Sequence, residues 1–174
     1  MEAGFAAAGK PVPLDREETL PATAEEVVRA YADTVYSLAL SQLRSRVEAD
    51  DAFQEVFLAY MKRQPVFESR EHQKAWFLRV TLNVCKKAWR YQKRHRTAPL
   101  EEAPTLETQS ELELFDTLGR LPEKYRVVLH LFYFEDLTTD TIARVLELSP
   151  NAVRTRLSRG REMLKKRLKD DFGR

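Results

Sequence analysis

Apolar positions recur along this chain at the three-and-four spacing of helices, and strict alternation of the strand kind is scarce. Thr23 and Glu26 stand in a capping-box register. Val27, Ala30, Tyr31, Val35 and Leu38 follow at helical spacing, which predicts a first helix. A second is predicted near Asp50 to Lys62, with Phe53, Val56, Phe57 and Tyr60 on its inner side. A third runs from about Gln73 to Lys93 and carries Phe77, Leu78, Val80, Leu82, Val84, Cys85, Ala88 and Trp89 over a broad apolar arc. From Leu112 to Leu168 the pattern is again helical, broken near Leu121-Pro122, Glu135-Asp136 and Glu147 to Ser149. The fold class expected is all-α: two small helical domains joined by a flexible acidic linker.

The linker is the stretch "TAPLEEAPTLETQS", which has two prolines, no base, and acids at Glu101, Glu102 and Glu107. It divides the chain into an N-terminal tail (1–22) that is expected to be flexible, a first domain (23–96), the linker (97–110) and a second domain (111–174). Within the second domain, Thr139 to Leu146 gives a short helix, then a three-residue turn, then a helix opened by Ser149 as N-cap and Pro150 in its first turn. Ile142, Ala143, Leu148, Val153 and Leu157 are placed as a helix-turn-helix requires. The small Ala143 lets the helices cross closely, and Leu148 plugs the turn. Units of this kind also serve protein–protein modules, so the motif alone leaves both readings open.

Charge changes that picture. The net formal charge is only +2, but the bases are gathered into two blocks. Between Arg70 and Arg96 there are nine Lys/Arg and one acid, and between Arg154 and Lys169 eight and one. Two basic blocks in a nearly neutral chain point to two contacts with a polyanion, because phosphate neutralisation supplies most of such affinity. On the last helix Val153, Leu157, Gly160, Leu164 and Leu168 project to one side. Asn151, Thr155 and Ser158 project to the other, with Arg154 and Arg159 at its edges, a shape that enters a DNA groove. On the third helix Arg79, Asn83, Lys86 and Arg90 line the polar face, with Lys87 beside them and Trp76 at the margin, as backbone contacts to a nucleic acid require. The aromatic residues of "PVFESREHQKAW" are of the kind that accept an unstacked base. The second helix differs: Asp51, Glu55, Leu58 and Lys62, with Gln54 at the margin, set acids around an outward leucine and suit a protein partner.

Other chemistries find little support. One cysteine, Cys85, excludes an intramolecular disulfide framework and is read as an inert core thiol. The three histidines stand in no metal-ligand spacing with it, and no metal, cofactor or catalytic residue is expected. No apolar run approaches the roughly 20 residues of a membrane span, and the N-terminus lacks the basic residues and apolar core of a signal peptide. A DNA-processing enzyme would need a nucleophile or carboxylate cluster in the first half, where Asp50 and Asp51 point to different sides of one helix.

Taken in order, "ADDAFQEVFLAYMK", "AWFLRVTLNVCKKAWRYQKRH", the acidic linker and "LPEKYRVVLHLFYFEDLTTDTIARVLELSPNAVRTRLSRGREMLKKRL" resemble the extracytoplasmic-function (ECF) group of the sigma-70 family, bacterial RNA polymerase initiation factors. The resemblance covers about residues 25 to 169. It implies that Asp51, Gln54, Glu55 and Leu58 bind polymerase core through its β′ and β subunits. It implies that Trp76, Arg79, Asn83, Lys86, Lys87 and Arg90 engage the −10 promoter element. It also implies that Asn151, Arg154, Thr155, Ser158 and Arg159 read the −35 element, and that an anti-sigma protein is a partner. No catalysis, no membrane insertion and a bacterial cytoplasmic, nucleoid-associated location go with it. Three positions depart from the family pattern. Thr141 replaces a frequent capping Glu, Glu147 stands at the usual turn glycine, and Gly160 stands where Ala is common. A stand-alone helix-turn-helix regulator would explain the second domain but not the acidic, leucine-bearing face of the second helix.

Overall fold

A computed structural model describes residues 20–95 and 115–173. Among them lie six helices and no strand: α1 (Ala24–Leu43), α2 (Arg46–Arg63), α3 (Arg70–His95), α4 (Glu123–Tyr133), α5 (Thr139–Leu146) and α6 (Pro150–Phe172). Residues 115–119 form a further helical stretch ahead of α4. The expected linker and all but the last three residues of the expected tail lie outside the described residues.

The start of α1 is the predicted capping box: Thr23 Oγ1 accepts from the Glu26 amide at 3.2 Å, and Glu26 Oε2 accepts from the Thr23 amide at 3.1 Å. The amides of Ala22 and Thr23 hold the Glu26 carboxyl below its ordinary range. α1 ends at Arg44, whose φ of 56° is left-handed, and Ser45 at once caps α2 by accepting from the Glu48 amide. This corner starts α2 at Arg46, four residues before the sequence pattern placed it. Ser69 likewise starts α3 at Arg70 rather than Gln73, its Oγ accepting from the His72 amide at 3.0 Å.

The first three helices close around aromatic rings. Phe77 is fully buried at their centre, stacked on Tyr31 at 4.6 Å and within 5.5 Å of Phe57, Tyr60 and Trp76. The Tyr31 hydroxyl donates to Gln73 Oε1 at 2.9 Å. Burial, with Tyr60 beside it, pushes that phenol up to about 12.

The remaining helices do not form a core of their own. Val128, Leu131, Ile142, Val153, Leu157 and Leu164 belong to one apolar cluster with Leu38 of α1 and with Leu78 and Leu82 of α3. Polar links reinforce it. Arg126, buried on α4, donates to the Gly119 and Gln42 carbonyl oxygens at 2.8 and 3.3 Å. Burial, and then the charge of Arg44, lower its pKa. Arg44 pairs with Asp116 at 2.9 Å. Gly119 permits this approach, since a Cβ there would lie 2.3 Å from Arg44 Nε.

Candidate functional site

The helix-turn-helix is built as its sequence implies. Thr138 caps α5 by accepting from the Thr141 amide at 3.2 Å, so the N-cap half of the box is kept, while Thr141, in place of the capping Glu, meets Thr138 only through a hydroxyl–hydroxyl bond at 3.0 Å. Glu147 closes the helix in the left-handed region, φ 56° and ψ 45°, the conformation a turn glycine would supply. The Leu148 amide donates to the Ala143 carbonyl at 2.9 Å, which seats Leu148 against the core. Ser149 then caps α6 by accepting from the Ala152 amide at 3.1 Å. Gly160 packs on α4, where an added Cβ would sit 3.2 Å from Leu129 Cδ1.

The structure brings Asn151, Arg154, Thr155, Ser158 and Arg159 together on the exposed side of α6, opposite buried Val153, Leu157, Gly160 and Leu164. Arg154 Nη1 donates to Asn151 Oδ1 at 2.8 Å, joining a cationic group to the small polar centre of that face. Farther along, Arg161 turns the other way, donating to the Tyr133 hydroxyl at 2.6 Å, with its guanidinium over the Phe132 and Tyr133 rings.

On α3, Arg79, Asn83, Lys86, Lys87 and Arg90 are all exposed, and Trp76 is half-buried between Tyr60, Phe67 and Phe77. Trp76 is therefore a wall of the aromatic core with only its margin on the outer face. On α2, Asp51, Gln54, Glu55 and Leu58 are exposed together. Sequence reasoning missed Met61 here: it is 51% exposed and extends the apolar patch of Leu58, which is 56% exposed. Its spacing of three from Leu58 was the available signal. The acidic face of α2 and the basic face of α3 also meet, because Glu55 pairs with Lys87 at 3.0 Å. These faces are neighbours with a shared edge, where the helix assignments alone set them apart.

Cys85 is fully buried between α1, α2 and α3, and burial pushes its thiol up to about 12. No group of His, Cys, Asp and Glu among the described residues has a metal-binding arrangement. Among those residues no helix is long and apolar enough to cross a membrane.

Two family profiles match, one described as Sigma-70 region 2 over residues 27–95 and one as Sigma-70, region 4 over residues 111–164. The ECF RNA polymerase sigma factor SigW of Bacillus subtilis is 30% identical over 165 residues, covering 83% of this chain and 88% of that relative. The chain belongs to the ECF group of the sigma-70 family. It is an RNA polymerase sigma factor, and the RNA polymerase sigma factor SigV of the same organism is 26% identical over 91% of the chain and 99% of its own length. A solved structure of the sigma factor RpoE with the anti-sigma factor NepR, from Bartonella quintana, aligns with a TM-score of 0.74. It does so at 18% identity over 83% of this chain and 96% of that one, a likeness of fold. CnrH, solved with the cytosolic domain of CnrY, aligns at 0.66 and 26% identity over 85% and 88%.

In this sigma factor, region 2 comprises α1 to α3 and region 4 contains α4 to α6. The two matches leave residues 96–110 between them, where the sequence places an acidic linker.

Proposed function

We propose that this sigma factor works by binding energy alone, with no catalysis of its own, through three surfaces on two domains (23–96 and 111–174). Asp51, Gln54, Glu55 and Leu58, extended by Met61, bind the β′ and β subunits of core polymerase. Arg79, Asn83, Lys86, Lys87 and Arg90, with the margin of Trp76, hold the −10 element. Asn151, Arg154, Thr155, Ser158 and Arg159 read the −35 element: the small polar side chains approach base edges while the arginines anchor phosphates. Two weak contacts joined by a linker (97–110) raise the effective concentration at the second site.

The observation that carries this reading is that one chain exposes two cationic helix faces and, on a third helix, an acidic face with an apolar centre. A stand-alone regulator has no use for the third. An anti-sigma protein is the partner expected to hold the factor inactive, as the pairing of RpoE with NepR illustrates for that protein. The factor acts in the bacterial cytoplasm, at the nucleoid.

The test is transcription in vitro with purified core polymerase, joined to core affinity by fluorescence anisotropy and promoter opening by permanganate footprinting. Leu58→Glu should lose core binding first. Arg79→Ala with Lys86→Ala should keep core affinity and reduce opening. Leu58 is the cleaner choice than Glu55, because Glu55→Lys would also set two cations together at Lys87. If the α3 double variant lost core binding yet opened promoters normally when saturated with core, the surfaces would be assigned the wrong way round.

A further inference from the structure

The residues assigned to the −10 element end at Arg90, but α3 runs on to His95. At 3.6 residues per turn Arg94 falls within about 20° of Asn83, so it continues the centre of the cationic face by one more turn. Tyr91 stands on the same edge of that face as Lys87, one turn farther along. Lys93, Arg94 and His95 are exposed in the last turn of the helix. Cations there complement the negative end of the helix dipole, which accounts for the charge without any ligand. It does not account for Tyr91.

Tyr91 is 63% exposed, whereas the tryptophan and phenylalanine rings of α3 are drawn inward. Phe77 is fully buried, Trp76 is half-buried, and half-buried Trp89 donates its Nε1–H to the Gln42 carbonyl at 3.3 Å. Tyr91 instead stacks on His95, with ring centroids 4.1 Å apart and planes 22° from parallel. His95 Nδ1 lies 3.0 Å from the Tyr91 carbonyl oxygen, which can only accept, so Nδ1 carries the proton. The imidazole is tied to the backbone and covers one face of the phenol ring. With that face covered, Tyr91 offers solvent its other face and its hydroxyl edge.

We propose that Tyr91 and Arg94 form a further DNA contact on α3, holding the phosphate backbone of the paired DNA just upstream of the melted −10 element, with His95 as the positioning residue that fixes the Tyr91 ring. The inference rests on the assignment of the α3 face to the −10 element made above. A phenol hydroxyl and a guanidinium both donate to phosphate oxygens, and the guanidinium can engage two at once. From Asn83 to Arg94 the helix rises about 16 Å, the length of about five phosphates along one strand. The rings suited to an unstacked base, Phe67 and the margin of Trp76, lie at the opposite end of α3. The paired edge of the element therefore falls beside Tyr91. The chain also leaves region 2 from this end toward region 4, whose −35 element stands farther upstream.

The experiment uses holoenzyme formed from the full chain and purified core, and fluorescence anisotropy on two promoter fragments. Both have an unpaired −10 segment and no −35 element. In one the duplex ends at the upstream edge of that segment; in the other it continues for about one helical turn. Tyr91→Phe with Arg94→Gln, at two exposed positions, should weaken binding to the longer fragment about fivefold and leave the shorter one unchanged. Neutral methylphosphonate linkages in the added duplex should cost the parent a similar factor and the double variant nothing. His95→Ala should lose part of the same increment, and His95→Phe, which keeps a ring under Tyr91, should restore it. Helical content and core affinity should stay at the parent's values throughout.

Equal binding of the parent and the double variant to the longer fragment would overturn the proposal. So would a loss of the same size on both fragments, because the ring would then serve the melted strand rather than the duplex. A double variant as sensitive to methylphosphonates as the parent would place those phosphates on other residues. His95→Phe no better than His95→Ala would remove the positioning role. Arg79→Ala with Lys86→Ala, measured on the shorter fragment, tells the two failures apart. If that pair weakens binding while the upstream increment ignores Tyr91 and Arg94, only this contact is wrong; if it does not, the assignment of α3 to the −10 element fails first.

Discussion

Helices α3 and α6 carry similar stripes of arginine and lysine, yet the fold uses them differently. α3 packs against α1, α2 and α5, and its polar face is partly spent inside the molecule: Arg79 on the Arg144 carbonyl and Lys87 on Glu55. Only Asn83, Lys86 and Arg90 make no side-chain bond among the described residues. α6 packs on α4 and α5 through one buried edge, and the bond on its outward face, Arg154 to Asn151, stays within the helix. A helix at the centre of a fold must have its face uncovered before it can serve a ligand. A helix held by one edge is already presented, and its side chains need only reorient.

The largest effect should come from the element that both regions share. Phe77→Ala removes the ring around which α1, α2 and α3 close and should cost about 3–5 kcal/mol in urea unfolding. Leu157→Ala empties a buried site of the peripheral helix and should cost less, toward the lower end of about 2–5 kcal/mol. An equal or greater loss at Leu157 would place the structural centre in region 4 and break the comparison.

That centre was only half legible in the sequence. Local signals carried well: the capping box at Thr23, the Ser149-Pro150 start, the outward side of each amphipathic helix, and the strained turn at Glu147. The starts of α2 and α3 did not carry. Apolar residues continue through Leu40 and Leu43 to the corner at Arg44, which hides the break, and a lone serine marks each new helix. The seam between the regions was not legible at all. Glu135 sits in "YFEDL" among turn residues, and nothing local reveals that Lys74 and Thr34, 61 and 101 positions away, remove it from water. Nor does helical periodicity reveal that Leu38, Leu78 and Leu82 join the apolar cluster of the other region.

The next effect separates reading from anchoring on α6. Thr155→Ala and Arg154→Ala should each weaken −35 binding by roughly 1–3 kcal/mol if the side chain contacts a base edge. A base contact shows as relaxed preference at one position of a substituted −35 series, measured by anisotropy with holoenzyme. A phosphate contact lowers affinity for every member of the series alike. Normal binding to all members by both variants would remove this face from DNA recognition.

On α3 the corresponding change is smaller and depends on salt. Arg79→Ala with Lys86→Ala should lower the salt slope of open-complex formation by about 1.4, at roughly 0.7 for each phosphate of a single strand that is no longer neutralised. The gap between the variant and the parent therefore narrows as salt rises. Because Arg79 must also leave Arg144, Lys86→Ala alone should account for more of the effect than Arg79→Ala alone. The reverse ranking would mean that Arg79 is as available as the residues on α6.

The smallest predicted effect concerns two of the left-handed helix ends, one taken from each region. Gln64 closes α2 at φ 44° and Glu147 closes α5 at φ 56°. A side chain in this region costs about 1–2 kcal/mol through its Cβ, and glycine returns part of that gain as chain entropy. Glu147→Gly and Gln64→Gly should therefore each stabilise the fold by up to about 1 kcal/mol in urea unfolding. Charge adds little at Glu147, because the carboxylate lies between the negative end of α5 and the positive start of α6, and the two dipoles oppose. Glu147→Gln, which keeps the Cβ and removes the charge, should shift stability by only a few tenths of a kcal/mol. If it stabilised as much as Glu147→Gly, charge rather than backbone strain would be the cost carried by this turn. If Glu147→Gly stabilised and Gln64→Gly did not, the strain would be particular to the helix-turn-helix.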